Sequence, residues 1–325
     1  MVLRLVGPSG ELADSAHETR GGTARWSCAF VNNMPDGAFD STERQFSELL
    51  VAASNDDIID LRRYAMAGVP RSQRTAPRIA REYEDVGAIR DNPPDLLIVT
   101  GSNPLELHIE DEPYWDDLTG LLSWASDNVS SMILSCLSAH AALSIFDGID
   151  RLHLATKCTG VFAQQVDGTH PLGAGLEHEI FLPHSRTNTV ALEALVEAGY
   201  QVPIYSNEVG WSVATREING AQMVLIQGHP EYDPSSLLRE YHRDVGRYAR
   251  HERDELPYLP YHCVASEDWA QLKHLHQEVT GGHRDPSLVE QYPFDEVGER
   301  APWTWRAMAN QLYANWLASV ASRRD

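Results

Sequence analysis

Cys136 lies where the pattern of apolar residues changes, and it is the first candidate for chemistry in this sequence. An apolar run at 132–134 is short enough for a buried strand and ends just before the cysteine. Side chains then recur at the spacing of one helix face, at Leu137, His140, Ala141 and Ile145. At such a strand-to-helix turn, the first free N–H groups of the helix favour a thiolate and can also hold a tetrahedral oxyanion. Cys136 is therefore a candidate nucleophile, with an inert cysteine packed in the core as the alternative.

His229 and Glu231 stand in a similar position, just after a second apolar run at 221–227. In extended backbone, residues two apart project to the same side, so the two side chains can face each other or one cleft. A carboxylate there fixes the imidazole tautomer and stabilises its protonated form, which completes a Cys-His-acid triad. Among the fourteen histidines, only His229 combines a strand end with an acid two residues away. The alternative is a turn histidine beside a helix-capping glutamate, and the pattern alone leaves both open.

The elements that position these residues alternate between strands and helices. Apolar runs predict core strands at 25–31, 58–61, 95–101, 132–134 and 221–227. Amphipathic helical stripes follow several of these runs, which predicts an α/β fold with a mostly parallel sheet and helices on both faces. Open sheets of this kind bind ligands at the carboxyl ends of their strands.

The pattern loosens after residue 149. Short strands arranged as a meander are predicted at 157–162, 179–182, 201–206 and 210–215, with a polar interruption at 183–186. Residues 249–300 read as charged and irregular, and 303–321 as a final amphipathic helix.

The amino-terminal part is predicted in less detail. Residues 1–24 are expected to form a flexible arm or an addition to the sheet edge, and 25–325 a single domain. Asp40 and Glu43 are predicted to cap the helix whose apolar stripe follows them.

The charge balance restricts the partners of this chain. With 26 basic and 47 acidic side chains among 325 residues, the formal net charge is −21. That field repels nucleic acids and anionic membranes, and an anionic substrate needs a local basic pocket. Four widely spaced cysteines without a paired-ligand motif argue against a disulfide framework and a zinc site, so we expect no metal. The sequence has no apolar run of membrane-helix length and no signal segment, so we expect a cytoplasmic protein.

Several motifs, in their order and spacing, resemble one known family. They are Asn33-Met34-Pro35, Thr100-Gly101, Tyr114-Trp115, Cys136 with Ala141-Ala142-Leu143, Gly148-Ile149, Lys157, Gly160-Val161, Pro183-His184-Ser185-Arg186, Gly228-His229-Pro230-Glu231-Tyr232-Asp233, Glu240-Tyr241, Arg243-Asp244-Val245 and Asn315-Trp316-Leu317. From about residue 25 to 320, the chain is similar to homoserine O-acyltransferases of the MetA type, enzymes of bacterial methionine biosynthesis. The resemblance implies a three-layer, flavodoxin-like fold of the class I glutamine-amidotransferase type. It also implies acyl-CoA (acetyl-CoA or succinyl-CoA) as co-substrate with no bound cofactor. We further expect small-molecule substrates and a homodimer.

The resemblance assigns roles to six positions. Cys136 would take the acyl group from acyl-CoA as a thioester, His229 would deprotonate the amino-acid hydroxyl, and Glu231 would be its partner. The substrate-binding positions of the family match Lys157, Ser185 and Arg243. The two cations suit the carboxylate of homoserine in an acidic protein. By periodicity alone, however, Arg243 lies opposite the apolar stripe of its helix and faces solvent.

Some positions depart from the family pattern. Leu137 stands where the family usually has Trp, His140 where it has Gln, and Phe162-Ala-Gln replaces Tyr-Glu-His. Residues 249–300 are longer than the usual connection. We therefore expect L-homoserine as the acceptor, with L-serine or a related hydroxy amino acid as the alternative. A glutamine amidotransferase and a non-catalytic relative are the other possibilities. His140 falls on an apolar stripe and is expected in the core.

The loop after Thr100-Gly101 bears on the acyl donor. In the family, a glycine in this loop leaves room for succinyl and a glutamate restricts the pocket to acetyl. The deciding position matches Leu105 when no gap is introduced and Glu106 when the local Pro-Leu pair is matched. Neither is glycine, so we expect acetyl-CoA in preference to succinyl-CoA.

Overall fold

One mixed β-sheet is the centre of the fold. In the computed structural model, the described residues are 3–11, 23–282 and 284–323. Within them the sheet has eleven strands. These are β1 (Leu3–Val6), β2 (Trp26–Val31), β3 (Ile59–Ala65), β4 (Glu84–Asp85), β5 (Leu96–Val99), β6 (Ser131–Ser135), β7 (Leu152–Val166), β8 (Glu179–Thr189), β9 (Gln201–Ser206), β10 (Gly210–Ile218) and β11 (Ala221–Ile226). Their spatial order is β1-β3-β2-β5-β6-β11-β10-β9-β7-β8, and β4 pairs with β3.

The half of the sheet from β1 to β11 in this spatial order is parallel, as the alternation of strands and helices predicts. Successive residues face opposite layers: in β2, Cys28 and Phe30 pack into one core and Ala29 and Val31 into the other. β5, β6 and β11 are buried along their whole length. Their near-continuous apolar sequences follow from helices covering both faces.

The other half is antiparallel, from β11 through β10, β9 and β7 to β8. A meander would place β9 beside β8, and that detail of the prediction is wrong. β7 is 15 residues long. One of its edges pairs with β8, and the other pairs with β9 at Gln165 and Val166. Residues 183–186 do not interrupt the strands but lie inside β8.

Helices form a layer on each face of the sheet. Within the described residues they are α1 (Asp36–Ala53), α2 (Ala76–Glu82), α3 (Trp115–Asn128), α4 (Leu137–Asp147), α5 (Leu192–Glu197), α6 (Ser236–Ala249), α7 (Ser266–Thr280), α8 (Pro286–Glu290), α9 (Phe294–Glu299) and α10 (Arg306–Ala321). α1, α6 and α10 bury Phe46, Tyr241 and Trp316 in one core. α3 and α4 bury Leu121 and Leu143 in the other. The predicted three-layer α/β fold is confirmed, and no helix in the described ranges is long and apolar enough to cross a bilayer.

Two helix predictions need correction. The 249–300 stretch is not irregular throughout, because α7 occupies part of it and buries Leu272, Leu275 and Val279. α1 begins before the proposed cap, so Asp40 and Glu43 lie inside the helix. Their carboxylates instead pair with arginines: Asp40 with Arg78, and Glu43 with Arg63 at 2.9 Å.

The beginning of the chain joins the sheet. β1 pairs in parallel with β3 at the sheet edge, so the described part of the 1–24 stretch includes an edge strand. Residues 12–22 of the predicted arm lie outside the described residues.

Candidate active site

Adjacent parallel strands bring the two predicted catalytic segments together. β6 and β11 are paired up to Ser135 and Ile226, and the Cys136 N–H donates to the Ile226 carbonyl over 2.7 Å. Because both strands run in the same direction, Cys136 and residues 228–231 emerge at the same carboxyl edge of the sheet. This is the edge at which open α/β sheets bind ligands.

Cys136 has a strained backbone conformation. Its φ is 51° and its ψ is −109°, a combination that residues other than glycine rarely adopt. It is the N-cap of α4, so its side chain stands beside the first N–H groups of that helix. Gly101, just after β5, approaches closely enough that a Cβ there would lie 3.2 Å from the Cys136 Cβ. The predicted strand-to-helix turn is therefore a sharp elbow that presents the sulfur at the sheet edge.

His229 and Glu231 form a buried, hydrogen-bonded pair. Nδ1 of His229 donates to Oε1 of Glu231 over 2.8 Å. Burial is the largest influence on this imidazole and opposes its charge, yet Glu231 and Cys136 together raise the pKa of His229 well above its usual value. Nε2 of His229 forms no hydrogen bond within the described residues. The Cys136 sulfur is near enough to contribute to the raised pKa of the imidazole. Tyr232 stacks on the imidazole, with ring centroids 4.3 Å apart.

A cavity of about 860 Å³, here called the Cys136 cavity, opens above Cys136 and His229. Its charged lining consists of the basic residues Arg151, Lys157, Arg186, Arg239, Arg243, Arg247 and Arg253 and the acidic residues Glu240, Asp244 and Glu255. Seven cations against three carboxylates make the cavity locally positive in a chain of net charge −21. It is the kind of basic pocket that an anionic substrate requires here. In the part of the chain that the structure describes, no group of His, Cys, Asp and Glu side chains could hold a metal ion.

Two of the predicted substrate-binding residues meet at Glu240, a largely buried carboxylate of α6 to which the sequence assigned no role. Ser185 Oγ and Tyr232 OH both donate to Glu240, and Lys157 Nζ lies 3.5 Å from its Oε2. Burial raises the pKa of Glu240, but Lys157, Ser185 and Tyr232 outweigh burial, so the pKa is lowered. Its partners come from β7, β8 and the turn before α6, so no local sequence pattern reveals the cluster.

Arg243 lies almost one turn further along α6. Its Nε donates to Oδ1 of Asp244 over 3.0 Å, and Lys157 Nζ lies 3.7 Å from Oδ2 of the same carboxylate. As periodicity predicts, Arg243 points away from the buried face of Leu237 and Tyr241. That outer face is also a wall of the Cys136 cavity. The arginine is therefore both 48% exposed and part of the site, because the cavity is open.

His140 is buried in the core, as expected, and it also lines the Cys136 cavity. Its Nε2 is 2.9 Å from Oε1 of Gln227, whose Nε2 donates to the Trp211 carbonyl over 2.7 Å. With the amide oriented in this way, its oxygen accepts, so Nε2 of His140 carries the hydrogen. Burial lowers the pKa of His140 to about 4, which keeps the ring neutral near neutral pH.

Leu105 and Glu106 do not line the Cys136 cavity. Both side chains are exposed to solvent, and the exposed fraction of Leu105 is 54%. Their backbone is held from two sides, because both N–H groups donate to the buried Glu112 carboxylate and Arg151 Nη2 donates to the Glu106 carbonyl over 2.9 Å. Neither side chain narrows the space above Cys136, which removes the steric basis of the expected acetyl preference.

Comparison with known proteins points to one family. A family model described as homoserine O-succinyltransferase matches residues 15–324. A homoserine O-succinyltransferase of Rhodopseudomonas palustris is 38% identical over 292 residues, which cover 90% of this chain and 87% of the relative. One of Methylorubrum extorquens is 38% identical over 293 residues, with 90% and 86% covered.

Solved structures agree on the fold. A glutamine amidotransferase from Methylobacillus flagellatus matches with a TM-score of 0.50 at 12% identity, covering 93% of this chain and 96% of that one. At this identity the likeness concerns the fold alone, and it agrees with the predicted amidotransferase-like architecture.

Proposed function

The chain belongs to the homoserine O-succinyltransferase family, and on that basis we propose that it moves an acyl group from acyl-CoA to the hydroxyl of L-homoserine through a thioester on Cys136. The observation that carries the thioester route is the position of Cys136 on a strained elbow at the head of α4. His229, held by Glu231 at 2.8 Å, lines the same cavity and is close enough for Cys136 to raise its pKa. A nucleophile, a base and an acid that orients the base are the parts that covalent acyl transfer needs.

In the first half-reaction, the sulfur of Cys136 gives its proton to His229 and attacks the thioester carbonyl of acyl-CoA. The new S–C bond forms a tetrahedral oxyanion. The Leu137 N–H, the first of α4, has no intrahelical acceptor and is the donor that we assign to this charge. When the intermediate collapses, the bond to the CoA sulfur breaks. His229 returns the proton to the leaving thiolate.

In the second half-reaction, homoserine enters the same cavity. His229 takes the proton of the substrate hydroxyl, whose oxygen attacks the acyl carbon, and the Cys136 sulfur leaves and regains a proton from His229. Lys157 and Arg243 are the cations for the substrate carboxylate. Glu240 is the carboxylate that receives the substrate ammonium, with Ser185 holding it in place.

The donor that we favour is succinyl-CoA. The relatives described above are named as succinyltransferases, and the cations of the Cys136 cavity suit an acyl group that carries a carboxylate. The acetyl preference expected from the sequence depended on Leu105 or Glu106 filling the acyl pocket, and both side chains lie outside the cavity.

Initial rates with L-homoserine and each donor test this choice. We expect kcat/KM for succinyl-CoA to exceed that for acetyl-CoA by about tenfold or more, because one paired carboxylate is worth at least about 1.4 kcal/mol. Leu105→Gly and Glu106→Gly should leave the ratio unchanged, since neither side chain faces the cavity. A preference for acetyl-CoA, or a ratio that either glycine variant shifts towards succinyl, would restore the steric explanation. Replacing homoserine with L-serine tests the acceptor in the same assay.

A further inference from the structure

Three arginines follow one face of α6. Arg239, Arg243 and Arg247 are spaced by four residues, so they lie along one side of the helix over about 12 Å. All three line the Cys136 cavity, while the opposite face of α6 is buried through Leu237 and Tyr241. We call Arg239, Arg243 and Arg247 the arginine stripe.

The carboxylates of the protein only partly neutralise this stripe. Arg239 lies 3.3 Å from Asp233 through one nitrogen, and Arg243 uses its Nε for Asp244. Arg247 forms no ion pair within the ranges that the structure describes, because the nearby Glu252 is held by Arg250 at 2.7 Å.

Leaving these arginines without full carboxylate partners destabilises the folded chain when no ligand is bound. Like charges at a spacing of four residues repel each other on a helix. Acidic side chains outnumber basic ones by 47 to 26, so carboxylate partners are abundant in this chain. The stripe therefore has unused capacity to bind an anion at a wall of the cavity.

We propose that the arginine stripe binds the phosphate groups of acyl-CoA, with Arg247 as the principal phosphate ligand. The proposal rests on the proposed function, in which acyl-CoA is the donor. CoA carries a diphosphate and a ribose 3′-phosphate at the end remote from its thioester, and guanidinium groups bind phosphate through paired N–H donors. We assign the larger contribution to phosphate binding to Arg247 rather than Arg239, because Asp233 already partly neutralises Arg239.

Arg243, between the other two, serves both half-reactions. It lies beside the cluster of Lys157 and Asp244, where the homoserine carboxylate is expected. In a double displacement CoA leaves before homoserine binds, so the two ligands meet Arg243 in turn.

The test compares two donors that share the reactive end. Succinyl-CoA has the phosphates, whereas S-succinyl-pantetheine has the same thioester and arm without them. For Arg247→Gln we expect KM for succinyl-CoA to rise about tenfold with kcat nearly unchanged, and KM for S-succinyl-pantetheine to stay as in the wild type. Arg239→Gln should show the same pattern with a smaller rise. Arg25→Gln is the control, since Arg25 is 53% exposed, lies outside the cavity and is paired with Asp57, away from α6.

A direct binding measurement tests the phosphate site separately from the proposed acyl transfer. Adenosine 3′,5′-bisphosphate should bind the wild type in calorimetry and compete with succinyl-CoA, and Arg247→Gln should weaken that binding by a similar factor. Equal effects of Arg247→Gln on both donors, or no effect on either, would overturn the stripe as the phosphate site. Wild-type turnover of S-succinyl-pantetheine with homoserine tests the proposed function independently, because that donor lacks the phosphates that the stripe is proposed to bind.

Discussion

His140 and His229 line the same cavity, but their surroundings move their pKa values in opposite directions. Burial lowers the pKa of His140 to about 4, and its hydrogen-bond partner is the neutral amide of Gln227. His229 is buried too, but Glu231 and the Cys136 sulfur raise its pKa well above the usual value. Near neutral pH, one ring is therefore a neutral group of fixed tautomer and the other is able to hold a proton for catalysis.

The neutral state of His140 predicts an acid-sensitive contribution to stability. Its pKa is about 4 in the folded chain and 6.5 in the unfolded chain, so the unfolded state takes up the proton first. The contribution is fully present above pH 6.5 and is lost as the pH falls towards 4. Between pH 7 and pH 5, His140→Gln should therefore lose about 2 kcal/mol less unfolding free energy than the wild type. Urea denaturation at both pH values measures it, with the exposed His153→Gln as control. Equal losses in wild type and His140→Gln would show that His140 titrates normally.

At the scale of elements, the site depends on how closely the ends of β5 and β6 approach each other. Gly101 follows β5 and faces the elbow at Cys136, where a Cβ would lie 3.2 Å from the cysteine Cβ and 3.3 Å from the Ser135 carbonyl oxygen. Glycine is needed here for the close approach between segments. The elbow is positioned by three neighbouring strands, since β6 lies between β5 and β11.

Gly101→Ala should therefore impair catalysis more than folding. The added methyl group displaces Cys136 by a few tenths of an ångström, and we expect kcat to fall about tenfold because acyl transfer depends on near-attack geometry. Gly120→Ala is the matched control: it lies inside α3, and the nearest atom that its added Cβ would meet outside the helix backbone is Arg90 Nη2 at 3.6 Å. That variant should gain about 0.5–1 kcal/mol of stability with unchanged kcat. A Gly101→Ala enzyme of wild-type kcat would show that the elbow tolerates displacement.

The elements of the site differ in how far sequence reveals them. The turns at Cys136 and His229 are predictable because each follows an apolar run that is buried on both faces. α7 is hidden because its buried Leu272, Leu275 and Val279 are diluted by polar neighbours. Glu240 is hidden for another reason: its partners are distant in sequence, and only the sheet order brings β7, β8 and α6 together. Periodicity places Arg243 on the outer face correctly, but only the fold shows that a cavity lies there.

Across the whole molecule, charge is unevenly distributed. The net charge of −21 opposes anionic substrates at long range, while the Cys136 cavity holds seven cations against three carboxylates. At physiological ionic strength, exposed charges act over about 8 Å. The cavity cations therefore decide whether an anionic donor binds, and the distant acidic surface contributes little.

Helix α10 is joined to the sheet by a specific polar contact as well as by apolar packing. In α10, Trp316 is buried, and its Nε1 donates to Ser131 Oγ at the start of β6 over 2.8 Å. Trp316→Phe should lower the unfolding free energy by about 2–4 kcal/mol, because it leaves a cavity and removes a buried hydrogen bond. Trp303→Phe, at a site that is 39% exposed, should change it by less than about 1 kcal/mol. Denaturant titration of both variants checks this, and similar losses would mean that α10 does not anchor β6.

The mass of the intact protein after mixing with succinyl-CoA in the absence of homoserine is the most direct test of the Cys136 thioester. We predict one succinyl group per chain on Cys136, released when homoserine is added. Cys158→Ser, which alters a partly buried cysteine outside the Cys136 cavity, should still acquire the group, whereas Cys136→Ser should not. If both substrates together give O-succinylhomoserine while the protein alone never gains the succinyl mass, even within a single turnover, transfer is direct and the thioester mechanism is wrong.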